Sequence, residues 1–356
     1  MTASQRLGFA VGYDSSASVA QMAELMRRAE RHGFDMGFFS ETFYTNRDSV
    51  TAISAFAGAT RRLALGTTQV VRLRSPLVMA QTAATLDELS GGRFVLVVGA
   101  CTDKHAARNG LPPQKPGVVL REYIQCIREL LTGRPVTFNG RYVKLDNVGL
   151  NFTPIRSDIP IWVAAATPLG LRIAAQMGDG VLLDAGTSPE YSANALAILS
   201  EAAAAAGRDL TGYTVAQLIN TSIEDTKQAA LDAVRWEVAS KFKYSSTARG
   251  KVLVGEPNIS PQAPVELSRT YQEKGEEGLL AALPDSYVEA LTASGTVEQV
   301  RQRIDRYRAA GVHVPLVRPA SAAQVDRLLN GVDELAGPVR GGTTGTGPRA
   351  EVTGGQ

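Results

Sequence analysis

The sequence predicts an α/β protein with a (β/α)8 TIM-barrel fold. Eight short apolar runs with strand character alternate with helix-like stretches along most of the chain, and such alternation indicates a parallel sheet. Eight strand–helix units are enough to close that sheet into a barrel. An open doubly wound sheet needs fewer units, and no G-x-G-x-x-G motif opens a helix in this chain. The eight runs are residues 7–11, 36–40, 63–71, 94–99, 161–165, 180–184, 214–221 and 312–317.

The helices between these runs are predicted from apolar residues that repeat with helical spacing. In residues 18–32, for example, Val19, Met22 and Met26 fall on one face, and Gly33 ends the helix. The other predicted helices are residues 50–59, 78–89, 117–131, 169–177, 189–206, 224–243, 297–310 and 322–335.

Three segments depart from the regular alternation. Residues 135–150 are predicted to form an inserted β-hairpin with its turn at Asn139-Gly140. Residues 243–264 are polar and contain several Gly and Pro, which predicts a long loop before the eighth strand. The tail, residues 337–356, is rich in Gly, Thr and Pro and is predicted to be disordered. We therefore expect one barrel domain over residues 1–336.

Composition and charge argue against several classes of function. The 37 basic and 35 acidic residues give a net charge of +2, which provides no electrostatic attraction to nucleic acid or an anionic membrane. No segment approaches the ~20 apolar residues that span a bilayer, and the polar N-terminus lacks a signal core. The two cysteines and three histidines show no metal-ligand spacing. We expect a cytoplasmic protein without a metal site, acting on a small molecule.

The active site of a (β/α)8 barrel lies at the carboxyl ends of its strands, so the residues that follow each strand are the candidates. After the second strand, Glu41 offers an acid and Arg47 a cation that could pair with Glu41 or bind an anionic ligand. After the fifth strand, Ala165 and Ala166 precede Thr167 and a helix N-terminus. Small residues before a helix N-terminus favour phosphate binding.

The third and fourth strands end in small and polar residues, GTTQ at residues 66–69 and GACTD at residues 99–103. We interpret Cys101 as a small buried residue rather than a nucleophile. His105 is interpreted as a solvated loop histidine.

The segment LDELSGGRFVLVVG at residues 86–99 resembles the luciferase-like family, whose fourth strand follows an L-D-x-L-S-x-G-R-x-x-L-G-x-G pattern. Within that family, YTNRD at residues 44–48 is similar to the Y-N-N-R-D segment of the coenzyme F420-dependent methylenetetrahydromethanopterin reductases. Asp103-Lys104 resembles their post-strand Asp-Lys, and the hairpin insertion is matched as well. The resemblance extends over about residues 7–335.

The resemblance implies an oxidoreductase that moves a hydride to or from coenzyme F420, an 8-hydroxy-5-deazaflavin. An FMN-dependent monooxygenase and a non-catalytic flavin-binding barrel are the alternatives, and a homodimer is expected. Glu41 and Thr42 become the candidate catalytic residues, with a non-proline cis peptide at Thr68–Gln69 supporting the coenzyme ring. The candidate coenzyme-binding residues are Asn46, Arg47, Thr67, Thr68, Gln69, Gly99, Ala100, Cys101, Thr102, Ala165, Ala166 and Thr167.

Two positions depart from the nearest pattern. The F420 enzymes usually have Asp-His at the end of the second strand, where this chain has Glu41-Thr42. The methanopterin reductases carry an acid inside the first strand, where this chain has Ala10. The substrate and the direction of hydride transfer therefore stay unassigned.

Overall fold

A computed structural model describes residues 6–12, 16–41, 47–100, 103–243 and 255–336. Its strands are β1 (Gly8–Val11), β2 (Met36–Ser40), β3 (Ala64–Val70), β4 (Phe94–Gly99), β5 (Val136–Asn139), β6 (Lys144–Val148), β7 (Ile161–Ala165), β8 (Gly180–Leu183), β9 (Thr214–Ile223), β10 (Ala293–Gly295) and β11 (Val314–Pro319). Strands β1, β2, β3, β4, β7, β8, β9 and β11 pair in that order, all in parallel, and β11 pairs with β1 to close the ring. The predicted (β/α)8 barrel is confirmed.

The described α-helices surround the barrel or cover one part of its rim. They are α1 (Val19–Arg31), α2 (Ser49–Ala59), α3 (Pro76–Ser90), α4 (Asp103–Arg108), α5 (Pro116–Leu131), α6 (Pro168–Met177), α7 (Pro189–Ala205), α8 (Lys227–Phe242), α9 (Ala263–Ala282), α10 (Asp285–Leu291), α11 (Val297–Ala309), α12 (Val325–Asn330) and α13 (Val332–Ala336). Among these described helices, none is long and apolar enough to cross a membrane.

Side-chain caps define where several of these helices begin. The Ser18 hydroxyl accepts a hydrogen bond from the Gln21 amide, and the Gln21 side-chain oxygen accepts one from the Ser18 amide. The two bonds form a capping box. Thr167 and Ser188 cap α6 and α7, each followed by a proline at the first helical position. These caps fix the strand-to-helix turns on the carboxyl side of the barrel.

Two hydrophobic layers follow from the alternation of side chains along each strand. The layer between barrel and helices includes Leu65, Val98 and Ile219. The layer inside the barrel is formed by Ala10, Met36, Phe38, Val95, Val97, Trp162, Leu182, Ala185, Ala216, Leu218, Val314 and Leu316, packed with Ala64 and Ala164. A strand residue can therefore be assigned to the inner or outer face by counting from these neighbours.

A third hydrophobic cluster lies outside the regular barrel pattern. It joins α8, α9 and α10 through buried side chains that include Val234, Phe242, Leu267 and Leu291. The short strand β10 then pairs with the end of β9, at residues 221–223. This cluster places additional chain beside the carboxyl ends of β8, β9 and β11.

The LDELSGGRFVLVVG segment at residues 86–99 has a structural role near the amino-terminal ends of the strands. Asp87 is fully buried, and its carboxylate accepts hydrogen bonds from Arg156 Nε at 2.8 Å and Nη2 at 2.6 Å. Arg93 donates to the carbonyl oxygens of Leu63 and Ser90, at 2.6 Å each. These bonds tie α3 and the start of β4 to neighbouring segments, so the motif supports the fold at a distance from the strand ends.

Three expectations need correction. The inserted hairpin is present, but its turn covers residues 140–143 rather than Asn139-Gly140, because Asn139 still pairs with Lys144 and the Gly140 amide donates to the Val143 carbonyl. The chain between the seventh and eighth barrel strands contains α9 and α10, which the sequence pattern did not predict, besides turns at residues 255–262. The closing helix is divided into a 3-10 turn (Ala322–Gln324), α12 and α13. The predicted disordered tail lies outside the described residues.

Candidate functional site

The candidate site is the mouth of the barrel at the carboxyl ends of the strands. By alternation from the inner layer, Thr68, Gly99, Asn220 and Arg318 belong to the inner face near this mouth. The mouth has two polar regions, one at β2–β3 and the other at β8–β9–β11. No group of three or more His, Cys, Asp or Glu that could hold a metal ion occurs within the described ranges.

The β2–β3 region is centred on Glu41, whose side chain is 8% exposed. Its Oε1 accepts hydrogen bonds from Arg74 Nη1 at 2.7 Å and from the Ser49 hydroxyl at 3.3 Å. Its Oε2 accepts one from the Val70 amide at 2.6 Å, and its own amide donates to Thr68 Oγ1 at 2.9 Å. Glu41 therefore joins the ends of β2 and β3.

Gln69 and Asp48 complete this network. Gln69 Nε2 donates to Ser49 Oγ at 2.7 Å, and Gln69 Oε1 accepts from Arg74 at 2.6 Å. Asp48 accepts from Arg74 Nη2 at 3.1 Å and caps α2 through the Thr51 amide. Burial raises the Asp48 pKa, but the hydrogen bonds from Thr51 and the Arg74 charge outweigh burial, so the net pKa is lowered.

The ion partner of Glu41 is thus Arg74 and not Arg47, which was one of the two interpretations of Arg47. Arg47 is exposed at the rim and is available to a ligand there. Of the candidates on β3, Thr68 belongs to the inner face, whereas Thr67 and Gln69 alternate with it and face the helices. Gln69 therefore does not face the barrel interior, and its side chain bonds Ser49 and Arg74 on the helix side of β3.

The expected cis peptide at Thr68–Gln69 is wrong for this structure. All peptide bonds among the described residues are trans. Strand β3 runs without a register shift past this point, since Thr68 and Gln69 pair with Val97 and Val98 of β4. The backbone irregularity lies beyond the strand, where Arg72 has φ +89° next to the isolated bridge between Val71 and Arg74.

The candidate phosphate site lies where β7 leads into α6. Thr167 Oγ1 accepts a hydrogen bond from the Gly170 amide at 3.3 Å, and the Tyr191 hydroxyl donates to the Ala166 carbonyl at 2.6 Å. A Cβ added at Gly170 would lie 3.2 Å from the Ala165 Cβ. The turn is therefore a narrow cradle of small residues with the α6 N-terminus directed at it, which suits a phosphate.

The same arrangement of small residues continues to β4. Gly99 and Ala100 are half-buried, and a Cβ added at Gly99 would lie 3.5 Å from the Ala164 Cβ. Four further candidates, Thr42, Asn46, Cys101 and Thr102, lie outside the described residues.

The β8–β9–β11 region contains residues that the sequence reasoning did not select. Lys241 of α8 is 7% exposed, donates a hydrogen bond to the Ala185 carbonyl and lies 4.0 Å from Asp184 Oδ2. Its side chain crosses Gly186, which has φ +71° and no room for a Cβ. Lys241 thereby holds the turn after β8.

Asn220 and Arg318 lie opposite each other on β9 and β11. Arg318 donates to Asn220 Oδ1 from Nε at 3.0 Å and from Nη2 at 2.7 Å. Arg318 Nη2 also donates to Glu237 Oε2 of α8 at 2.9 Å. The rule that strand ends carry the site could have found both residues, because they lie on the inner face at the ends of two predicted strands.

Glu256 is a further buried acid near this region. Its Oε1 accepts from the Ser188 amide at the start of α7, at 3.0 Å, whereas Oε2 has no hydrogen-bond partner among the described residues. Burial is the main cause that raises the Glu256 pKa, against the lowering effect of the Ser188 hydrogen bonds. Glu256 thus binds the start of α7 through one carboxyl oxygen.

Comparison with known proteins gives a family and a set of relatives. The family model described as luciferase-like monooxygenase matches residues 4–314. A 5,10-methylenetetrahydromethanopterin reductase of Archaeoglobus fulgidus is 27% identical over 307 residues, which are 85% of this chain and 91% of the relative. An F420-dependent glucose-6-phosphate dehydrogenase of Nakamurella multipartita is 29% identical over 297 residues, 79% of this chain and 85% of that protein.

Solved structures show the same fold. The coenzyme F420-dependent tetrahydromethanopterin reductase from Methanopyrus kandleri superposes with a TM-score of 0.80 at 24% identity. The superposition covers 91% of this chain and 97% of the reductase. The similarity extends over the whole barrel rather than over a single motif.

Proposed function

Because the chain belongs to the luciferase-like monooxygenase family, we propose that it is a coenzyme F420-dependent oxidoreductase. It transfers a hydride between C5 of the deazaflavin and a small organic substrate. The observation that carries the proposal is the small-residue cradle at the start of α6, in a chain whose relatives include F420-dependent enzymes over most of their length. The deazaflavin, when bound, supplies two-electron hydride chemistry.

The chain's own residues account for binding at the phosphate end. The amides at the start of α6 carry the partial positive charge of a helix N-terminus. Gly170 packs closely on Ala165. Ala165 and Ala166 carry no side chain beyond Cβ that would block the α6 amides, and Thr167 fixes the turn. Gly99 and Ala100, at the end of β4, continue this surface of small residues.

The opposite, ring end would be supported by β3. Thr68 presents its side chain on the inner face, and its Oγ1 accepts a hydrogen bond from the Glu41 amide. The Glu41 carboxylate also accepts from the Val70 amide, so Glu41 holds β3 on both sides of Gln69, through its amide at Thr68 and its carboxylate at Val70. Thr42, Asn46 and Arg47 follow Glu41 in the sequence and are proposed to contact the coenzyme.

Glu41 is proposed to orient this support rather than to exchange protons. Both of its oxygens already accept hydrogen bonds from Arg74, Ser49 and the Val70 amide. In Glu41→Gln we expect weaker F420 binding with an unchanged pH profile of turnover. A general acid–base role predicts instead a loss in kcat of about 10²–10⁴-fold with an altered pH profile.

The experiment that tests the function is an equilibrium titration of the purified protein with F420 and with FMN, followed by oxygen uptake measurements. We expect F420 to bind more tightly than FMN and reduced F420 to be oxidised without oxygen consumption. Tighter FMN binding with oxygen uptake would identify the FMN-dependent monooxygenase that the family description allows. Tight coenzyme binding without turnover on any hydride acceptor would identify a non-catalytic barrel.

We also propose that the protein works as a cytoplasmic homodimer. Cys126 is buried and free, which fits a reducing compartment. Light scattering on the purified protein should give a mass twice the 37.8 kDa of one chain. A mass of one chain at all concentrations would show that the dimer is absent.

A further inference from the structure

Two buried polar groups on the inner face at the end of β9 lack partners. Asn220 Nδ2 and Ser222 Oγ have no hydrogen-bond partner within the described part of the chain, although Asn220 is 1% exposed and Ser222 is fully buried. A buried donor left without a partner destabilises the folded protein, because it has lost its hydrogen bonds to water. Such groups are rare in native proteins, and each calls for a physical explanation.

The orientation of the Asn220 amide is fixed by its neighbours. Arg318 donates two hydrogen bonds to the side-chain oxygen of Asn220, at 3.0 and 2.7 Å. Rotating the amide by 180° would place its NH2 group against a guanidinium that can only donate. Glu237 accepts from Arg318 at 2.9 Å and holds the guanidinium in place. The NH2 group of Asn220 is therefore held away from Arg318.

The position of Asn220 relates it to the barrel mouth. Asn220 alternates with Ala216 and Leu218, which belong to the inner layer, so its side chain is on the inner face. Its register partner is Arg318, which alternates in the same way with Leu316. Ser222 lies one step further along the same face of β9. Both unpartnered groups therefore belong to the carboxyl end of the barrel, where substrates bind.

The charges around Asn220 indicate which acceptor would suit it. The amide NH2 is a neutral donor, and the Arg318 charge beside it is already matched by Glu237. A carboxylate or phosphate would find little unbalanced positive charge at this position, whereas a carbonyl or hydroxyl oxygen needs only the donor. A site built to hydrogen-bond such an oxygen discriminates strongly against analogues that lack it.

We propose that Asn220 is a substrate-binding residue that donates a hydrogen bond to a neutral carbonyl or hydroxyl oxygen, with Arg318 and Glu237 as its positioning residues. The site then favours alcohols and carbonyl compounds over organic anions. This rests on the proposed function for the reaction itself, but the binding preference is a property of the chain alone.

The test compares binding of cyclohexanone and cyclohexanecarboxylate by NMR, with and without F420. Protein with ¹⁵N-labelled asparagine reports on the Asn220 side-chain amide, whose signals are assigned by their loss in Asn220→Asp. We expect cyclohexanone to shift these signals and to bind more tightly than cyclohexanecarboxylate. Asn220→Asp should weaken cyclohexanone binding by at least about tenfold, whereas the control Asn139→Asp on the exposed hairpin should not.

Glu237→Gln provides a second variant with an opposite expectation. It removes the charge that balances Arg318, so cyclohexanecarboxylate should gain affinity relative to cyclohexanone. The proposal is overturned if neither probe binds, if the Asn220 signals of the wild type do not move, or if the wild type prefers the carboxylate. Absence of F420 binding would contradict the proposed function. The role of Asn220 would still be tested by the binding of cyclohexanone and cyclohexanecarboxylate.

Discussion

On the β2–β3 side of the barrel mouth, Glu41, Ser49, Gln69 and Arg74 bond to one another. On the β9–β11 side, the Asn220 amide nitrogen and the Ser222 hydroxyl have no partner among the residues described. Both sides are buried and polar, and both include an arginine paired with a glutamate. They differ in whether the protein alone completes the hydrogen bonds.

This difference suggests two roles, with one side supporting the coenzyme and the other binding the substrate. A fully bonded network is rigid and keeps its geometry whether or not a ligand is bound, which suits the role proposed for β3 as support of a coenzyme ring. A fixed donor without a partner costs stability in the free protein and recovers it when a ligand supplies the acceptor. This contrast is the basis on which we propose the coenzyme at the β2–β3 and α6 side and the substrate's polar group at the β9–β11 side.

The largest effect is expected when the bonded side loses its cation. In Arg74→Met, the Glu41 carboxylate stays buried without its ion partner, and breaking a buried pair in this way costs about 3–5 kcal/mol. We expect a loss at the lower end, because Arg74 is 19% exposed. Urea unfolding measures the change in the free energy of unfolding.

The control for this variant is Arg327→Met, which removes an exposed ion pair with Asp225. Exposed pairs contribute little to stability because water screens their charges, so we expect a much smaller loss than in Arg74→Met. If both variants lost the same small amount, the β2–β3 network would not be the rigid support that the comparison requires.

Glu256 tests the incompletely bonded side through pH. Its folded-state pKa is raised above the ordinary value of 4.5, mainly by burial, so the folded protein binds more protons than the unfolded chain once the pH exceeds 4.5. The contribution of Glu256 to stability should therefore fall as the pH rises from 4.5 through the raised pKa, and then level off. Glu256→Gln removes this loss.

Thermal unfolding of the wild type and Glu256→Gln from about pH 4 to about pH 8 measures the effect. We expect the stability of the variant relative to the wild type to rise across that window. An identical pH dependence in both proteins would contradict a raised pKa for Glu256.

The smallest effect is expected from the same serine-to-alanine change on each side. Ser49 donates to Glu41 and accepts from Gln69, so Ser49→Ala should cost about 1 kcal/mol or slightly more. Ser222 has no described partner, so Ser222→Ala should be neutral or slightly stabilising. Equal losses in urea unfolding would remove the distinction between the two sides.

The sequence predicted the barrel well because hydrophobic alternation is local. The strands at residues 36–40, 94–99 and 161–165 agree residue for residue with β2, β4 and β7. Helix α9 was missed because its sequence is largely polar and its few buried side chains pack on α8, with Gly275 at φ +67° interrupting it. Packing against neighbouring helices, rather than the periodicity of its own apolar residues, makes that segment helical.

The candidate site was predictable only in part, for a related reason. Glu41 and the Ala165–Thr167 turn follow strands directly, so position alone indicates them. The partner of Glu41 is 33 positions away at Arg74, and the sequence offered the nearer Arg47. The incomplete bonding of Asn220 depends on contacts between α8, β9 and β11. Such contacts exist only in the folded chain.

A crystal structure of the F420 complex tests this division of the barrel mouth most directly. We expect the coenzyme phosphate within hydrogen-bond distance of the amides at the start of α6. We expect the deazaflavin ring beside Thr68, with the Asn220 amide left for the substrate. A phosphate bound at Arg318, or a ring stacked on the β9–β11 side, would contradict this division.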